Sequence, residues 1–335
     1  MNFLVIGSNS FSGSNFVSFL LKKGFDVVGA SRSDEPNECF LPYKWKNSQK
    51  NIKSNGNFLF KKINLNENID ELIKIIDEKN INYVINFAAQ GMVAESWLNP
   101  THWYQTNLLS QVKFHDQLRK RKFLKKYLHV TTPEVYGSTD NGWTKENFSF
   151  SPSTPYAVSR AACDLHLISF FEAYDFPVVF TRAANVYGPG QQLYRIIPRT
   201  VLSCLSGKPL ELHGAGKSVR SFIHIKDVVE GTYKLLIDGD PGSSWHLSTN
   251  KAISIYDLVK EICDITNANF DKVVKIKDER LGKDHSYLLD SNKMRNTFDW
   301  DDKISLNSGI KDTINWVENN FSYFSTIPWN YLHKL

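Results

Sequence analysis

The chain opens with a short apolar run that leads into a turn containing two glycines. Phe3–Ile6 precedes Gly7, Ser10 and Gly13, and apolar residues then recur at helical spacing. A strand, a glycine turn and a helix in this order bring backbone N–H groups to a helix N-terminus, which is an arrangement that binds a pyrophosphate. We therefore predict that Gly7, Ser10, Phe11 and Gly13 contact a dinucleotide, with the central serine adding a hydroxyl donor. A purely structural turn is the alternative.

Apolar runs typical of strands alternate with helical patterns through the first half of the chain. The strands are predicted at 3–6, 26–30, 58–63, 83–88, 126–131 and 178–181. This alternation predicts an α/β fold with a doubly wound parallel sheet, that is, a Rossmann fold with helices on both faces. After Tyr187 the pattern loosens into turn-rich segments. We predict a dinucleotide-binding domain over residues 1–188, joined by parts of 221–250, and a smaller C-terminal substrate lobe mainly over 189–335.

Composition and charge argue against several other classes of protein. The 335 residues are 41% hydrophobic and 22% charged, with a formal net charge of +5, which is ordinary for a globular protein and does not suggest nucleic-acid binding. No apolar stretch approaches the about 18 residues of a membrane span, and the start of the chain does not resemble a secretory signal. The four cysteines are far apart and lack metal-ligand spacing. We expect a cytoplasmic protein with no metal, no membrane attachment and no nucleic-acid partner.

The end of the second predicted strand bears on the choice of dinucleotide. An acidic residue at this place binds the adenosine ribose of NAD, but the strand runs into Ser31 and Arg32, and no acid occurs before Asp34. A serine and an arginine can hold a 2′-phosphate, so the sequence favours NADP. NAD is the alternative, in which Arg32 stacks on the adenine.

A threonine, a tyrosine and an arginine have the spacing of a hydride-transfer site. Thr132 follows the predicted strand at 126–131, Tyr156 lies at a helix start, and Arg160 lies four positions further on the same helix face. In such a site the tyrosine takes the proton of a sugar hydroxyl while the adjacent carbon gives a hydride to nicotinamide. The cation lowers the pKa of the tyrosine by stabilising its anion.

Several motifs, taken together, resemble the extended short-chain dehydrogenase/reductases, and among them the nucleotide-sugar 4,6-dehydratases and epimerases. The motifs are NFAAQ at 86–90, TTPEVYG at 131–137, STPYAVSR at 153–160, RAANVYGPG at 182–190, RSFIHIKD at 220–227 and RLGKD at 280–284. The likeness covers nearly the whole chain. It implies that Ala88, Ala89 and Asn107 contact the cofactor together with Tyr156 and Arg160.

Glu134 distinguishes between the activities of this family. A dehydratase of this type oxidises C4 of the sugar, removes the C5 proton with a glutamate, expels the C6 hydroxyl and returns the hydride to C6, whereas a 4-epimerase needs no base there. The resemblance thus implies that Thr132, Glu134, Tyr156 and Arg160 are catalytic. It also implies that the cofactor is tightly bound and recycled within each turnover. The alternatives are a 4-epimerase, a reductase, or a non-catalytic protein that binds a dinucleotide and a nucleotide sugar.

Two residues depart from the family pattern. Pro133 stands where many dehydratases carry an aspartate that protonates the leaving hydroxyl, so this proton must come from Glu134, Tyr156 or water. Arg160 stands in place of the usual lysine, and its planar fork does not superpose on an ammonium group. These departures are the basis of the non-catalytic alternative.

The second half of the chain supplies the residues that the resemblance assigns to the nucleotide sugar. They are Asn185, Gln191, Tyr194, Arg195, Arg220 and Arg280. The two arginines at 220 and 280 would clamp the pyrophosphate bidentately. The segments 187–199 and 220–225 resemble the GDP-N-acetylglucosamine 4,6-dehydratases of legionaminic acid synthesis, so a GDP-sugar is favoured over a UDP- or dTDP-sugar. The family also implies a homodimer, formed by the helix over 100–117 and the helix after Tyr156.

Overall fold

The computed structural model describes residues 1–45, 56–138, 142–278 and 287–334. Within these ranges, strands β1 to β15 are Phe3–Ile6, Val27–Ser31, Phe58–Lys62, Tyr83–Asn86, Lys126–Val130, Trp143–Thr144, Val178–Ala183, Asn185–Tyr187, Leu210–His213, Val219–Arg220, Phe222–His224, Ser244–Leu247, Ile253–Ser254, Val274–Lys277 and Leu288–Leu289. Seven of them form one sheet in the order β12-β7-β5-β4-β1-β2-β3, and every neighbouring pair in it is parallel. The doubly wound parallel sheet predicted from the sequence is therefore confirmed.

Helices connect the strands of this sheet, as parallel pairing requires. In chain order, α1 to α13 are Phe11–Lys22, Ile69–Glu78, Val93–Leu98, Pro100–Tyr104, Ser110–Leu118, Pro155–Tyr174, Ile196–Ser206, Ile225–Asp238, Ile255–Ile265, Phe270–Val273, Asn292–Phe298, Leu306–Asn319 and Phe321–Phe324. A π-helical segment, Gln105–Leu109, joins α4 to α5, so that 100–118 is one long helix with a single wide turn. Insertions of this kind occur frequently at functional sites.

Side chains of β1 alternate between two apolar cores, one on each face of the sheet. Phe3 and Val5 pack into the core that α1 and α8 cover, and Leu4 and Ile6 pack into the core that α2, α5 and α6 cover. Successive strand residues point to opposite faces, and both faces are covered, so all four residues of β1 are buried. This explains why the strand is a continuous apolar run without polar alternation.

The second half of the chain divides its elements between this sheet and a separate core. Strand β12 pairs with β7 at the sheet edge, and it lies within the segment 221–250, parts of which are predicted to join the dinucleotide-binding domain. The segment 221–234 does not join the sheet as a strand, because β11 pairs only with β8 and the chain then forms α8. Helices α7, α9 and α12 pack together around a third core. The domain boundary at residue 188 stays a prediction.

Strand ends differ from the prediction by at most two residues. The important consequence is the position of the loops that follow β1, β2, β4 and β5. Because these strands are parallel, their carboxyl ends meet at one edge of the sheet, and ligands of such sheets bind at that edge. Within the described part of the chain, no helix has both the length and the apolarity to cross a membrane.

Candidate active site

The glycine turn after β1 closes tightly against the neighbouring strands. Gly7 has a φ of +80°, which favours glycine, and its N–H donates to the Ala30 carbonyl oxygen over 2.7 Å. A Cβ at Gly7 would lie 2.9 Å from the Ala88 nitrogen, and a Cβ at Gly13 would overlap the Gly7 carbonyl oxygen. The turn therefore brings the ends of β1, β2 and β4 to the N-terminus of α1, as a pyrophosphate site requires.

Ser10 and Phe11 begin α1 and support this turn. The Ser10 hydroxyl oxygen accepts a hydrogen bond from the Gly13 N–H over 3.1 Å and caps the helix. The Phe11 side chain is buried in the core beneath α1. The cap was not predicted from the sequence, and a dinucleotide contact of Phe11 would have to come from its backbone.

At the end of β2, the polar side chains are already hydrogen-bonded within the chain. The Ser31 hydroxyl oxygen accepts from the Asn9 N–H over 3.0 Å, and the Arg32 guanidinium donates to the Gln90 side chain over 3.4 Å. The Asp34 carboxylate is exposed and pairs with a lysine of β3. The position that holds the ribose in NAD-binding folds thus carries a hydroxyl and a guanidinium, and the first acid along the chain points elsewhere.

Asn107 joins the loop after β4 to helix α6. It lies fully buried in the π-helical segment, where its side chain accepts from the Gln90 N–H over 2.8 Å and donates to the Gln90 carbonyl over 3.0 Å. Its amide nitrogen also lies 3.0 Å from the Ser159 hydroxyl. Asn107 therefore positions the loop that contains Ala88 and Ala89, and it does so with both of its polar atoms.

Thr132, Glu134 and Tyr156 come together above the end of β5. The Thr132 hydroxyl oxygen accepts from the Glu134 N–H over 3.3 Å, and the two residues belong to a 3₁₀ turn that Pro133 begins. The Thr132 side chain is also hydrogen-bonded to the Tyr156 hydroxyl. Thr154 caps helix α6 by accepting from the Ala157 N–H over 3.1 Å, which fixes Tyr156 in the first turn.

Burial raises the pKa of Tyr156 to about 12, and the charge of Glu134 contributes to the rise. Arg160, the hydrogen bond from Thr132 and Arg195 lower the pKa but do not outweigh the burial. Arg160 therefore lowers the pKa of Tyr156, as predicted, although burial has the larger effect. These contributions to its pKa mean that Glu134, Arg160 and Arg195 lie within electrostatic range of the Tyr156 phenol.

Arg160 lies almost fully buried below Tyr156 on helix α6. Its Nη2 donates to the Val130 carbonyl oxygen and lies 3.3 Å from His129 Nε2. Its Nε and Nη1 are buried, and no acceptor for them is found among the described residues. Buried N–H groups without an acceptor are costly, so the hydroxyl oxygens of a ligand's ribose would suit them. Together with the glycine turn, this is a fit to a dinucleotide.

Asp164, one turn beyond Arg160 on α6, ties the helix to two strands. Its Oδ2 accepts from Arg182 Nη2 of β7 over 2.7 Å and from the Thr131 hydroxyl, next to the end of β5, over 2.9 Å. Burial alone would raise the pKa of Asp164, but Arg182, His129 and Arg160 hold it below its ordinary value. Burial lowers the pKa of His129 to about 4, so His129 is neutral at pH 7 and Asp164 is charged.

The residues predicted to bind the nucleotide sugar lie partly together. Arg195 lies within electrostatic range of Tyr156, and its guanidinium lies 5.5 Å from the ring of Tyr194. Gln191 is buried and donates to the Val186 carbonyl oxygen over 2.7 Å, so it shapes the loop from within. Arg280 lies outside the described residues.

Tyr287 was missed in the sequence and joins three of the predicted residues. Its hydroxyl donates to the Asn185 side-chain oxygen over 3.4 Å, and the Arg220 guanidinium lies 4.3 Å from its ring centroid. Burial raises the pKa of Tyr287, Glu134 raises it further, and Arg220 lowers it. Glu134 therefore faces this cluster as well as Tyr156. The sequence feature that could have indicated Tyr287 is its position just beyond the motif at 280–284.

The arrangement can perform acid–base chemistry between a dinucleotide and a second ligand. The glycine turn and Arg160 suit a dinucleotide, and Arg195, Arg220 and Tyr287 suit a second, anionic ligand. Glu134 is within electrostatic range of both Tyr156 and Tyr287, so that Tyr156 can serve as a proton acceptor for a hydroxyl and Glu134 as a carboxylate base. Among the described residues, no cluster of histidine, cysteine, aspartate or glutamate side chains could hold a metal ion.

Comparison with known proteins agrees with this geometry. The model of the family described as GDP-mannose 4,6 dehydratase matches residues 4–313. A dTDP-D-glucose 4,6-dehydratase of Bos taurus is 31% identical over 252 residues, which are 74% of this chain and 70% of the relative. A trifunctional enzyme of Arabidopsis thaliana, with UDP-glucose 4,6-dehydratase as the first of its activities, is 27% identical over 97% of this chain. The chain spans about half the length (48%) of that plant enzyme.

Two solved structures show the same fold with NAD bound. The dTDP-glucose 4,6-dehydratase of Bacillus anthracis in complex with NAD is 28% identical, has a TM-score of 0.84 and covers 97% of this chain and 99% of its own. The dTDP-glucose 4,6-dehydratase of Streptomyces venezuelae, also with NAD, is 25% identical, has a TM-score of 0.86 and covers 96% of this chain and 98% of its own.

The Asp164–Arg182 pair predicts a large stability effect. The substitution Asp164→Asn keeps the shape but leaves Arg182 buried without its counter-charge, so we expect the free energy of unfolding to fall by about 3–5 kcal/mol. Asp116→Asn is the matched control, because Asp116 pairs with Arg119 and Lys120 at the surface and should change the free energy by less than about 1 kcal/mol. Urea unfolding followed by circular dichroism measures both. Equal effects of the two substitutions would contradict the role given to Asp164.

Proposed function

We propose that this chain, which belongs to the GDP-mannose 4,6 dehydratase family, removes water across C5 and C6 of a nucleotide sugar. The observation that carries the proposal is the position of Glu134 within electrostatic range of Tyr156 and next to Thr132. Oxidation at C4 needs only a base for the hydroxyl, which Tyr156 supplies. A second base at this place serves the removal of the C5 proton, and that step distinguishes a dehydratase from an epimerase or a reductase.

NAD is the proposed cofactor. It supplies a hydride acceptor for C4 and a hydride donor for C6, so it ends each turnover as it began. The NADP preference expected from Ser31 and Arg32 gains no support from the two solved relatives, whose structures contain NAD. In this chain Ser31 is engaged by the Asn9 N–H and Arg32 by Gln90, which leaves the adenosine ribose, without a 2′-phosphate, as the better match. Gly7, Gly13, Asn107 and Arg160 would hold or position it.

In the first step, Tyr156 takes the proton of the C4 hydroxyl while Thr132 orients that hydroxyl by hydrogen bonding. A tyrosine with a pKa of about 12 is a reluctant base at neutral pH. Arg160 and Arg195 lower the pKa of Tyr156, and any further positive charge bound beside its ring would lower this pKa more. Arg160 thus has two tasks, because it stabilises the phenolate and offers Nε and Nη1 to a ribose.

In the second step, Glu134 takes the C5 proton, which the new 4-keto group has made acidic. The C6 hydroxyl leaves as water when it receives a proton. Pro133 has no group that can donate one, so we propose that Glu134 passes the C5 proton to the departing oxygen. The double bond between C5 and C6 then accepts the hydride at C6 and, at C5, a proton that solvent supplies through Glu134, while Tyr156 returns its proton to solvent, which gives a 4-keto-6-deoxy sugar.

For the sugar nucleotide, we propose that Arg195 and Arg220, with Asn185 and Tyr287, bind the diphosphate, and that the elements after Gly188 form the nucleotide-sugar lobe. The arginines supply charge-assisted hydrogen bonds to phosphate oxygens. The sequence resemblance favours GDP-N-acetylglucosamine, whereas the relatives are named for dTDP-glucose and UDP-glucose. The residues described at the nucleotide-sugar site do not distinguish between the guanine, thymine and uracil bases, so the substrate panel below includes sugars of all three nucleotides.

The test is a substrate panel combined with the substitution Glu134→Gln. Purified protein with GDP-N-acetylglucosamine, GDP-mannose, UDP-glucose and dTDP-glucose should convert at least one of them to a product that has lost one water, measured by mass spectrometry. Glu134→Gln should still oxidise C4, seen as reduced nicotinamide in a single turnover, and then stall. The substitution should lower turnover by at least about a hundredfold. Glu146→Gln is the control, because Glu146 is outside the cluster and contacts the His246 backbone.

The outcomes separate the candidate functions. A product of unchanged mass from the wild type, with full activity in Glu134→Gln, would instead establish a 4-epimerase. Net consumption of reduced cofactor would indicate a reductase. Binding of cofactor and nucleotide sugar without turnover would support the non-catalytic alternative based on Pro133 and Arg160.

We also propose a homodimer, in line with the family resemblance. Val158 and Leu165 lie seven positions apart on one face of α6 and are 37% and 56% exposed, and Leu109 on the neighbouring long helix is 51% exposed. Exposed apolar residues on two adjacent helices are typical of a subunit interface.

A charge on this face should dissociate the dimer. Leu165→Glu is expected to halve the molar mass measured by light scattering during gel filtration, because it places a charge at the centre of the apolar face. Leu205→Glu is the matched control, because Leu205 is 37% exposed on α7, away from that face. A wild-type protein that is monomeric at micromolar concentration would contradict the proposal.

A further inference from the structure

The segment 329–334, here named the strap, is anchored at one end to helix α7. Trp329 is buried, its indole N–H donates to the Phe324 carbonyl oxygen over 2.6 Å, and its ring is flanked by Arg199 and Lys208 at 5.2 and 4.7 Å. Two cations on one indole ring are favourable contacts. The strap therefore starts from a fixed point next to the loop that carries Tyr194 and Arg195.

At its other end, the strap is bound to the edge of the sheet. The His333 ring stacks on Trp103 and His102, with centroid distances of 5.2 Å and nearly parallel planes in both cases, and a hydrogen bond of 2.9 Å joins the two imidazoles. The Lys334 carbonyl oxygen accepts from the Gln90 side chain over 2.7 Å. Gln90 is the residue that Asn107 holds in the loop after β4.

Between these ends, Tyr331 crosses from one ligand-binding loop to another. Its ring meets the Tyr194 ring edge-on at 5.4 Å, and its hydroxyl is within electrostatic range of Arg32 and Arg195. Arg32 follows β2, where an adenosine ribose binds in folds of this type, and Arg195 is within electrostatic range of Tyr156. The strap thus links the loops after β2 and β4 to the loop opposite them.

The match to the family model ends at residue 313, before the strap begins. We propose that the strap is a further part of the dinucleotide site and slows release of the bound cofactor, with Tyr331 as a contact at the ribose beside Arg32. This inference depends on the proposed function, since it requires a dinucleotide in the cleft. A cofactor that returns to its starting state in every turnover has no need to leave, so slow release does not limit the reaction.

The experiment compares cofactor release in two variants of the full chain. Tyr331→Ala/His333→Ala removes both ring contacts, and Leu332→Ala is the matched control, because Leu332 lies in the same segment and is 63% exposed. Release of NAD is timed after dilution into excess competing dinucleotide. We expect the double variant to release NAD at least about tenfold faster, whereas Leu332→Ala should keep the wild-type release rate, kcat and KM for the nucleotide sugar.

Each outcome has a distinct meaning. Release at the wild-type rate in the double variant would overturn the role of the strap. A loss of kcat at saturating NAD without faster release would also overturn it, since that result indicates a general structural role. If the double variant does not fold, a chain ended after Asn330 gives the same comparison and keeps Trp329 in place. A wild-type protein that binds no dinucleotide would defeat the proposed function itself, which is a separate result.

Discussion

A buried ion pair between Asp164 and Arg182 connects the elements on which the site depends. Asp164 belongs to the helix that carries Tyr156 and Arg160, and Arg182 belongs to strand β7, next to the edge strand of the sheet. The same carboxylate accepts from Thr131, directly before Thr132. The hydroxyl, the phenol and the carboxylate base thus keep their relative positions because one buried charge links their helix to their strand. Such a pair is costly to desolvate, and its value here lies in position rather than in net stability.

Arg160 stands where the family resemblance implies a lysine, and this has a consequence for the packing. The guanidinium is large enough to hold the Val130 carbonyl and approach His129 with one nitrogen while its two other nitrogens stay buried, with no acceptor for them in the described parts of the chain. A lysine ammonium is a compact point charge, so it could not contact the Val130 carbonyl and His129 and also offer further donors to a ligand. Neutral His129, sandwiched between Arg160 and Asp164, is compatible with both neighbours because it carries no charge of its own. Arg160 is therefore held in place by its own contacts, which supports a retained role for this residue in the site.

Much of the site could be predicted from the sequence, because its residues lie within short motifs at strand ends. The turn at Gly7 and Gly13, and the grouping of Thr132 with Tyr156, follow from local patterns and from the rule that parallel strands end at one edge, whereas Glu134 was implied by the family resemblance. Asp164 and Tyr287 could not be found in this way, since their partners are distant in the chain and a local sequence pattern does not reveal which residues pair. The strap is an extreme case, because Gln90 and Lys334 are 244 positions apart. The net rise in the pKa of Tyr156 likewise depends on burial, which local spacing does not report.

In the proposed mechanism, Tyr156 and Glu134 carry out two linked proton transfers around a hydride that leaves C4 and returns to C6 of the same sugar. The most direct measurement uses a nucleotide sugar that carries deuterium at C4, in ordinary water. The proposed mechanism predicts one deuterium at C6 of a 4-keto-6-deoxy product. Deuterium retained at C4 of a product with unchanged mass, or lost from the sugar to free cofactor, would contradict it.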